Sequence, residues 1–219
     1  MCRITLILTV HNERGICNSN NLYKIIEQIA PNVIFQEISP EGLFAIQTGL
    51  HPNGLEGIAI NMYSQKYPIN LETVDIDPNK LIDLNTKNNI KRRINTFRQY
   101  AEYNELEGQL YFLSEQYGFQ YLNSEQCVEL FEQLYFLENE IVELINNERL
   151  SQTHNIFKSV MEMREDEMIK NIYNYTKQSK YNEAIFLIGA AHKKSIISKV
   201  LEMESKSEFK IDWVFNYFT

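Results

Sequence analysis

Glycine and proline are scarce in this 219-residue chain, at 8 and 5, and no segment repeats at a fixed period. That scarcity excludes collagen-like, mucin-like and low-complexity architectures. Cysteine is scarce too. Cys2, Cys17 and Cys127 are an odd set without C-x-x-C spacing, too few to staple a domain of this size, and they fit a reducing compartment. No run approaches the ~18 uninterrupted apolar residues of a membrane-spanning helix. The apolar stretch 4–10 stops at His11-Asn-Glu-Arg14 and reads as a strand rather than a signal peptide or anchor. Positive charge is not in excess: 21 Lys and Arg stand against 29 Asp and Glu, a net charge of −8. A basic face tracking phosphates is therefore not expected. The expectation is a soluble, cytoplasmic protein that engages neither nucleic acid nor membrane and acts on a small-molecule or peptide substrate. Its oligomeric state is left open.

What is present is enough to build a core, since 44% of residues are apolar and 12% aromatic. Short β-branched runs at 4–10, 33–38, 71–76 and 184–188 suit strands covered on both faces, as in parallel sheets. Leu22, Ile25, Ile26 and Ile29 form a helical stripe ended by Pro31, so the first two strands and this helix predict a βαβ unit. Residues 55–67 read as a helix, and Asp77-Pro78 as a helix start with an aspartate cap. From 79 to 180 the pattern is almost wholly helical, punctuated by Gly118 and Asn123-Ser124. Within it Cys127, Phe131, Leu134, Leu137, Ile141 and Leu144 share one stripe. A packed helical insertion is favoured over a coiled-coil arm, because the heptad is short and rich in aromatics. A helix over 194–203 and a last strand over 209–217 close the chain. The predicted fold is a single α/β domain over 1–219, with a mainly parallel central sheet flanked by helices and a helical insertion at 79–180.

In open parallel sheets, ligands bind beyond the carboxyl ends of the strands. His11 follows the first strand, Glu37 the second, and His192 the run Ile188-Gly-Ala-Ala191. Two imidazoles and a carboxylate can ligate a divalent metal, or can serve as base, acid and orienting group in hydrolysis. The residues alone leave both open. In Gly189-Ala-Ala-His192, small residues allow a tight turn and close approach to a ligand before a helix N-terminus. Arg164 falls inside the stripe Phe157, Met161, Met168, Ile172 and Tyr175, so it points inward or snorkels; inward, it needs an acceptor such as Glu37 or a bound anion.

Other polar residues read more simply. Glu13 and Arg14 suit a solvated loop, and Asp75 and Asp77 close the third strand, with Asp77 as the cap. His51 and His154 read as exposed loop or helix-start residues, and Lys91-Arg-Arg93 as a solvated helix face. Cys17 has no histidine pattern beside it that would argue for a thiol nucleophile.

Leu8-Thr-Val-His11, Asn32-Val-Ile-Phe-Gln-Glu37, Arg164-Glu-Asp-Glu-Met168 and Leu187-Ile-Gly-Ala-Ala-His192, in this order, resemble motifs of one superfamily. It joins the TIKI and TraB/PrgY proteins with the ChaN-like and erythromycin-esterase-like proteins. The likeness covers roughly residues 1–77 and 155–217, while the helical middle is unmatched and Leu8-Thr9 stands where the family has glycine-threonine. The resemblance implies an α/β core with a helical insertion and a histidine–glutamate site at the sheet edge. It also implies one of three chemistries: metal-dependent peptidase, histidine-based esterase without a required metal, or haem binder.

The function expected from both lines is hydrolysis of an amide or ester by water. His11, Glu37, Arg164 and His192 are the catalytic set, and His11, Glu37 and His192 the ligands of a divalent metal if one is used. The alternatives are a non-catalytic module binding haem or another ligand, and an interaction protein working through its helical middle.

Overall fold

The computed structural model describes residues 2–218. Its elements in order are β1 (Arg3–Thr9), α1 (Ser19–Ile29), β2 (Val33–Gln36), α2 (Pro40–Gln47), α3 (Leu55–Ser64) and β3 (Asn70–Thr73). The helical middle follows as α4 (Leu84–Phe97), α5 (Ala101–Leu122), α6 (Glu125–Ile145) and α7 (Glu148–Gln178), and then β4 (Glu183–Gly189), α8 (Lys193–Lys206) and β5 (Asp212–Val214). The five strands form one all-parallel sheet in the order β3-β2-β4-β1-β5. This is an α/β fold.

β4 lies between β1 and β2, so the first βαβ unit spans a gap that the last third of the chain fills. Leaving β1 the chain moves to one side, and leaving β4 it moves to the other. With right-handed crossovers this places α1 and α3 on one face and α7 and α8 on the other, in agreement with the packing of α1 on α3 and α7 on α8. The direction reverses between β1 and β4, the position where a crevice forms beyond the carboxyl ends. His11 and His192 follow those two strands.

Burial explains the strands. Ile4, Leu6, Ile7 and Leu8 of β1, Val33, Ile34 and Phe35 of β2, and Ala184 to Ile188 of β4 are all buried, as central parallel strands require. The terminal strand is shorter than the predicted 209–217 and stops at Val214, opposite Thr5. Farther along β1, the Leu8 backbone takes its bonds from a side chain instead. The Asn123 carboxamide accepts the Leu8 N–H at 2.9 Å and donates to the Leu8 carbonyl at 3.1 Å. Asn123→Ala strands both buried groups, so we expect a loss of about 2–4 kcal/mol in urea denaturation at pH 7. A loss below ~1 kcal/mol would mean that water reaches Leu8.

In the helical middle, α5 carries a kink at Gly118 (φ 56°, ψ −136°), a conformation open essentially to glycine alone. Ser124 caps α6 through the Cys127 N–H. Three expectations for this region are corrected. Leu144 is 73% exposed, because the buried face of α6 rotates from Leu134 and Leu137 to Ile141 and Val142. Arg93 is not on a solvated face. Ile90, Ile94 and Phe97 make the inner stripe of α4, and Arg93 lies within it, 2% exposed, with its guanidinium 3.7 Å from the Phe157 ring centroid. His154 is neither exposed nor at a helix start. It lies inside α7, where its Nδ1 meets Arg93 Nη1 at 2.8 Å and its Nε2 meets Asn139 Oδ1 at 3.1 Å. Burial, with Arg93 and Lys158 nearby, holds its pKa at about 4, so it is neutral. Asp77 caps only a single 3-10 turn, Pro78–Lys80, and Asp83 caps α4.

Candidate active site

Three of the four predicted residues are in direct contact. Glu37 directly follows β2, and its N–H extends the ladder to Leu187 O at 3.2 Å. Its Oε2 accepts the Gly189 N–H at 2.7 Å, and its Oε1 accepts from Arg164 Nη2 at 2.9 Å and faces His192 Nε2 at 3.4 Å. What Gly189 approaches closely is thus a carboxylate of the protein itself. Arg164 points inward from the middle of α7. Besides Glu37 it binds Asp75, through Nη2 to Oδ2 at 2.6 Å and Nε to both oxygens at 3.1 Å.

Two further members carried weaker signals. Glu165 accepts from His192 Nδ1 at 2.6 Å and from the Ser195 hydroxyl. Successive helical residues point roughly 100° apart, so neighbouring positions on α7 serve different partners: a cation for Glu37 and Asp75, a carboxylate for His192. The signal for Glu165 was its place at i+4 in the stripe Met161, Met168, Ile172; that for Asp75 was its place after β3.

These contacts fix the charge states. His192 has a carboxylate at each ring nitrogen, and a neutral imidazole can donate from only one. Burial disfavours its charge, but the bonds to Glu165 and Glu37 outweigh that and hold its pKa at about 9. Burial likewise pushes Glu37 up, and His192, the Gly189 N–H and Arg164 together bring it down to about 2. Around pH 7 an imidazolium and a guanidinium therefore flank the Glu37 carboxylate.

His11 stands apart from that contact. Its Nδ1 lies 3.4 Å from Glu56 Oε1, in the first turn of α3, and the same oxygen accepts the Thr9 hydroxyl at 2.7 Å. The Leu55 N–H donates to the His11 carbonyl at 3.1 Å, and a Cβ on Gly54 would come within 3.1 Å of that carbonyl, so a side chain at 54 would crowd the junction. The His11 side chain is 71% exposed. Among the described residues nothing hydrogen-bonds its Nε2. The Glu56 carboxylate beside it raises its pKa, and Glu37 adds to the rise. His11, Glu37 and Glu56 line one cavity of about 670 Å³ beyond the carboxyl ends of the strands, walled by Leu43, Ile46 and Ile60.

As metal ligands, His11, Glu37 and His192 fit poorly. Glu37 is already held by Arg164 and the Gly189 N–H, and each ring nitrogen of His192 is engaged by a carboxylate of the protein. Among the described residues no group of three or more His, Cys, Asp or Glu side chains is arranged to hold a metal ion. The cysteines do not contribute either: burial pushes the Cys17 and Cys127 thiols up to about 12.

Compared with known proteins, the chain matches no family model, no curated protein and no solved structure. Among the described residues no helix is long and apolar enough to cross a membrane.

Proposed function

We propose that the protein is a hydrolase that cleaves an amide or ester bond by attack of water in the cleft of His11, Glu37 and Glu56. The observation that carries this reading is the Thr9–Glu56–His11 chain, which presents a carboxylate-oriented imidazole with a free Nε2 to a cavity also lined by Glu37. A base held by a carboxylate is the recurrent way to activate a weak nucleophile. The motif resemblance to the superfamily that includes the erythromycin-esterase-like proteins supports the same chemistry.

In this mechanism His11 takes the proton of the attacking water, and Glu56 fixes the ring and favours the imidazolium that forms. Glu37 accepts the other hydrogen of that water and orients it, because a carboxyl held near 2 is too weak a base to remove the proton. His192 and Arg164 keep Glu37 charged and in place. Carboxamides of Gln47, Asn53 and Asn61 line the cavity and can donate to the carbonyl oxygen as charge develops on it. His11 then returns its proton to the leaving amine or alcohol.

A panel of neutral aryl esters and peptide anilides tests this. His11→Ala should lower kcat/KM by about 10²- to 10⁴-fold, with Glu56→Gln intermediate and circular dichroism unchanged in both. Turnover should survive a chelator; loss on chelation with recovery on adding a divalent ion would replace this route by a metal-dependent one. Turnover indifferent to His11, or no turnover together with tight haem binding in the cleft, would favour the non-catalytic module.

A further inference from the structure

The cleft holds a polar side chain that the protein itself leaves unused. Asn53 stands immediately before Gly54, the cap residue of α3, and an asparagine at a helix start ordinarily commits its carboxamide to a backbone N–H of the first turn. This one does not. α3 has no side-chain cap, and among the described residues nothing hydrogen-bonds the Asn53 carboxamide. It lies instead over Gly57, where a Cβ would overlap Asn53 Oδ1. Gly57 sits in the helix without a left-handed φ, and alanine would favour the helix, so what the glycine admits is the carboxamide. Gln36 Nε2, in the same wall, is sealed from solvent, whereas the half-buried Asn53 opens on the cavity. The remaining carboxamides, Gln47 and Asn61, are exposed.

The apolar wall is unused as well. α2 buries none of its residues, and Leu43 and Ile46, about one turn apart on it, are half-buried yet belong to neither hydrophobic cluster of the described residues. The same holds for Ile38, after β2. With Ile60 of α3 these side chains line the cavity. Ile60 lies one turn beyond Glu56, so the apolar wall begins about 6 Å along the helix from the carboxylate beside His11. Among the described residues no lysine or arginine lines the cavity, and Glu37 and Glu56 do. An anion would meet two carboxylates and one imidazole that already faces Glu56.

We propose that the cleft selects an uncharged carbonyl compound with an apolar acyl chain, its carbonyl oxygen accepting from the Asn53 carboxamide held over Gly57 and its chain lying among Ile38, Leu43, Ile46 and Ile60. A few placed polar groups in an otherwise apolar cavity fix orientation in this way. Asn53 and His11 meet at one junction, because the Leu55 N–H binds the His11 carbonyl. A carbonyl carbon beside Asn53 is therefore on the side of the cleft where His11 stands. The choice of acyl group as substrate rests on the hydrolase reading, whereas binding in the cleft requires no reaction.

The test is titration of the full chain, carrying ¹³Cε1-histidine, with methyl butyl ketone, acetone and pentanoate, none of which can be hydrolysed. The ketone should shift the His11 resonance in a saturable way and leave that of His154, inside α7, in place. Acetone, three methylenes shorter, should bind at least about tenfold more weakly, and so should the isosteric pentanoate. Asn53→Ala should weaken the ketone about fivefold. Gly57→Ala, whose Cβ takes the place of the carboxamide, should do the same without lowering the urea midpoint, an outcome that loss of structure would not give. An unmoved His11 resonance, acetone or pentanoate binding as tightly as the ketone, or undiminished binding in either variant would overturn the proposal. Should Gly57→Ala not fold, the three probes and Asn53→Ala decide the matter alone. Aryl esters separate this site from the reaction: kcat/KM should rise at least about tenfold from the acetate to the pentanoate. Ketone binding without ester turnover would remove the hydrolase reading and uphold the site, and turnover without ketone binding would do the reverse.

Discussion

Arg164→Met is expected to destabilise the protein by about 3–5 kcal/mol, read from urea denaturation at pH 7. Methionine preserves the apolar stem that packs along α7, so the loss isolates the guanidinium. Without it, Asp75 and Glu37 stay buried, and among the described residues Asp75 keeps only the Ile76 N–H as a hydrogen-bond donor. Two like charges would then share a poorly solvated pocket, and one would take up a proton to remain there. The reading is separable from simple packing loss. Combining Arg164→Met with Asp75→Asn and Glu37→Gln should recover more than half of the deficit, because neutral groups of the same shape carry a far smaller desolvation cost. A single-variant loss below ~1 kcal/mol would show that water already screens the pair. A triple variant no better than Arg164→Met would assign the loss to packing.

Arg164 also shows how much of the molecule was legible. The parallel sheet followed from short β-branched runs separated by helical stripes, since strands buried on both faces must be apolar throughout. Strand order was not legible. Nothing local in residues 184–188 says that they insert between β1 and β2. The inward guanidinium was visible because a cation within an apolar stripe has one place to go, and Glu37 was a named acceptor. The same rule applied to Ile90, Ile94 and Phe97 would have placed Arg93 inside, but three adjacent basic residues look like a solvated run. Glu165 was masked in the same way by its acidic neighbours. Glu56 had the faintest signal, an acid in the first turn of a helix, where the helix dipole alone accounts for it. Its contact with His11 depends on α3 being tied back to the loop after β1, a tertiary contact.

The pH dependence of stability should carry the signature of His192 and Glu37. His192 is held at about 9 in the folded protein against an ordinary 6.5, so its stabilisation is complete below 6.5 and disappears as pH rises through 9. A shift of that size corresponds to on the order of 3 kcal/mol. Glu37 runs the other way. Held at about 2 against an ordinary 4.5, it contributes fully above 4.5 and loses that contribution as pH falls toward 2. From this pair, stability should be greatest between about 4.5 and 6.5, fall along an alkaline limb toward 9 and fall along an acid limb below 4.5. Because the two groups face each other, the limbs belong to the pair, and removing one member must move the other. His192→Gln should therefore abolish the alkaline limb and shift the acid limb upward, since Glu37 loses its imidazolium while keeping Arg164 and the Gly189 N–H. Urea midpoints from pH 3 to 10 measure both limbs. Direct ¹⁵N detection of the His192 ring should show both nitrogens protonated at pH 7. A midpoint flat from pH 6 to 9, or a ring with one bare nitrogen at pH 7, would mean that Glu165 or Glu37 carries the proton instead, and Glu37 would then regain the basicity that the proposed mechanism denies it.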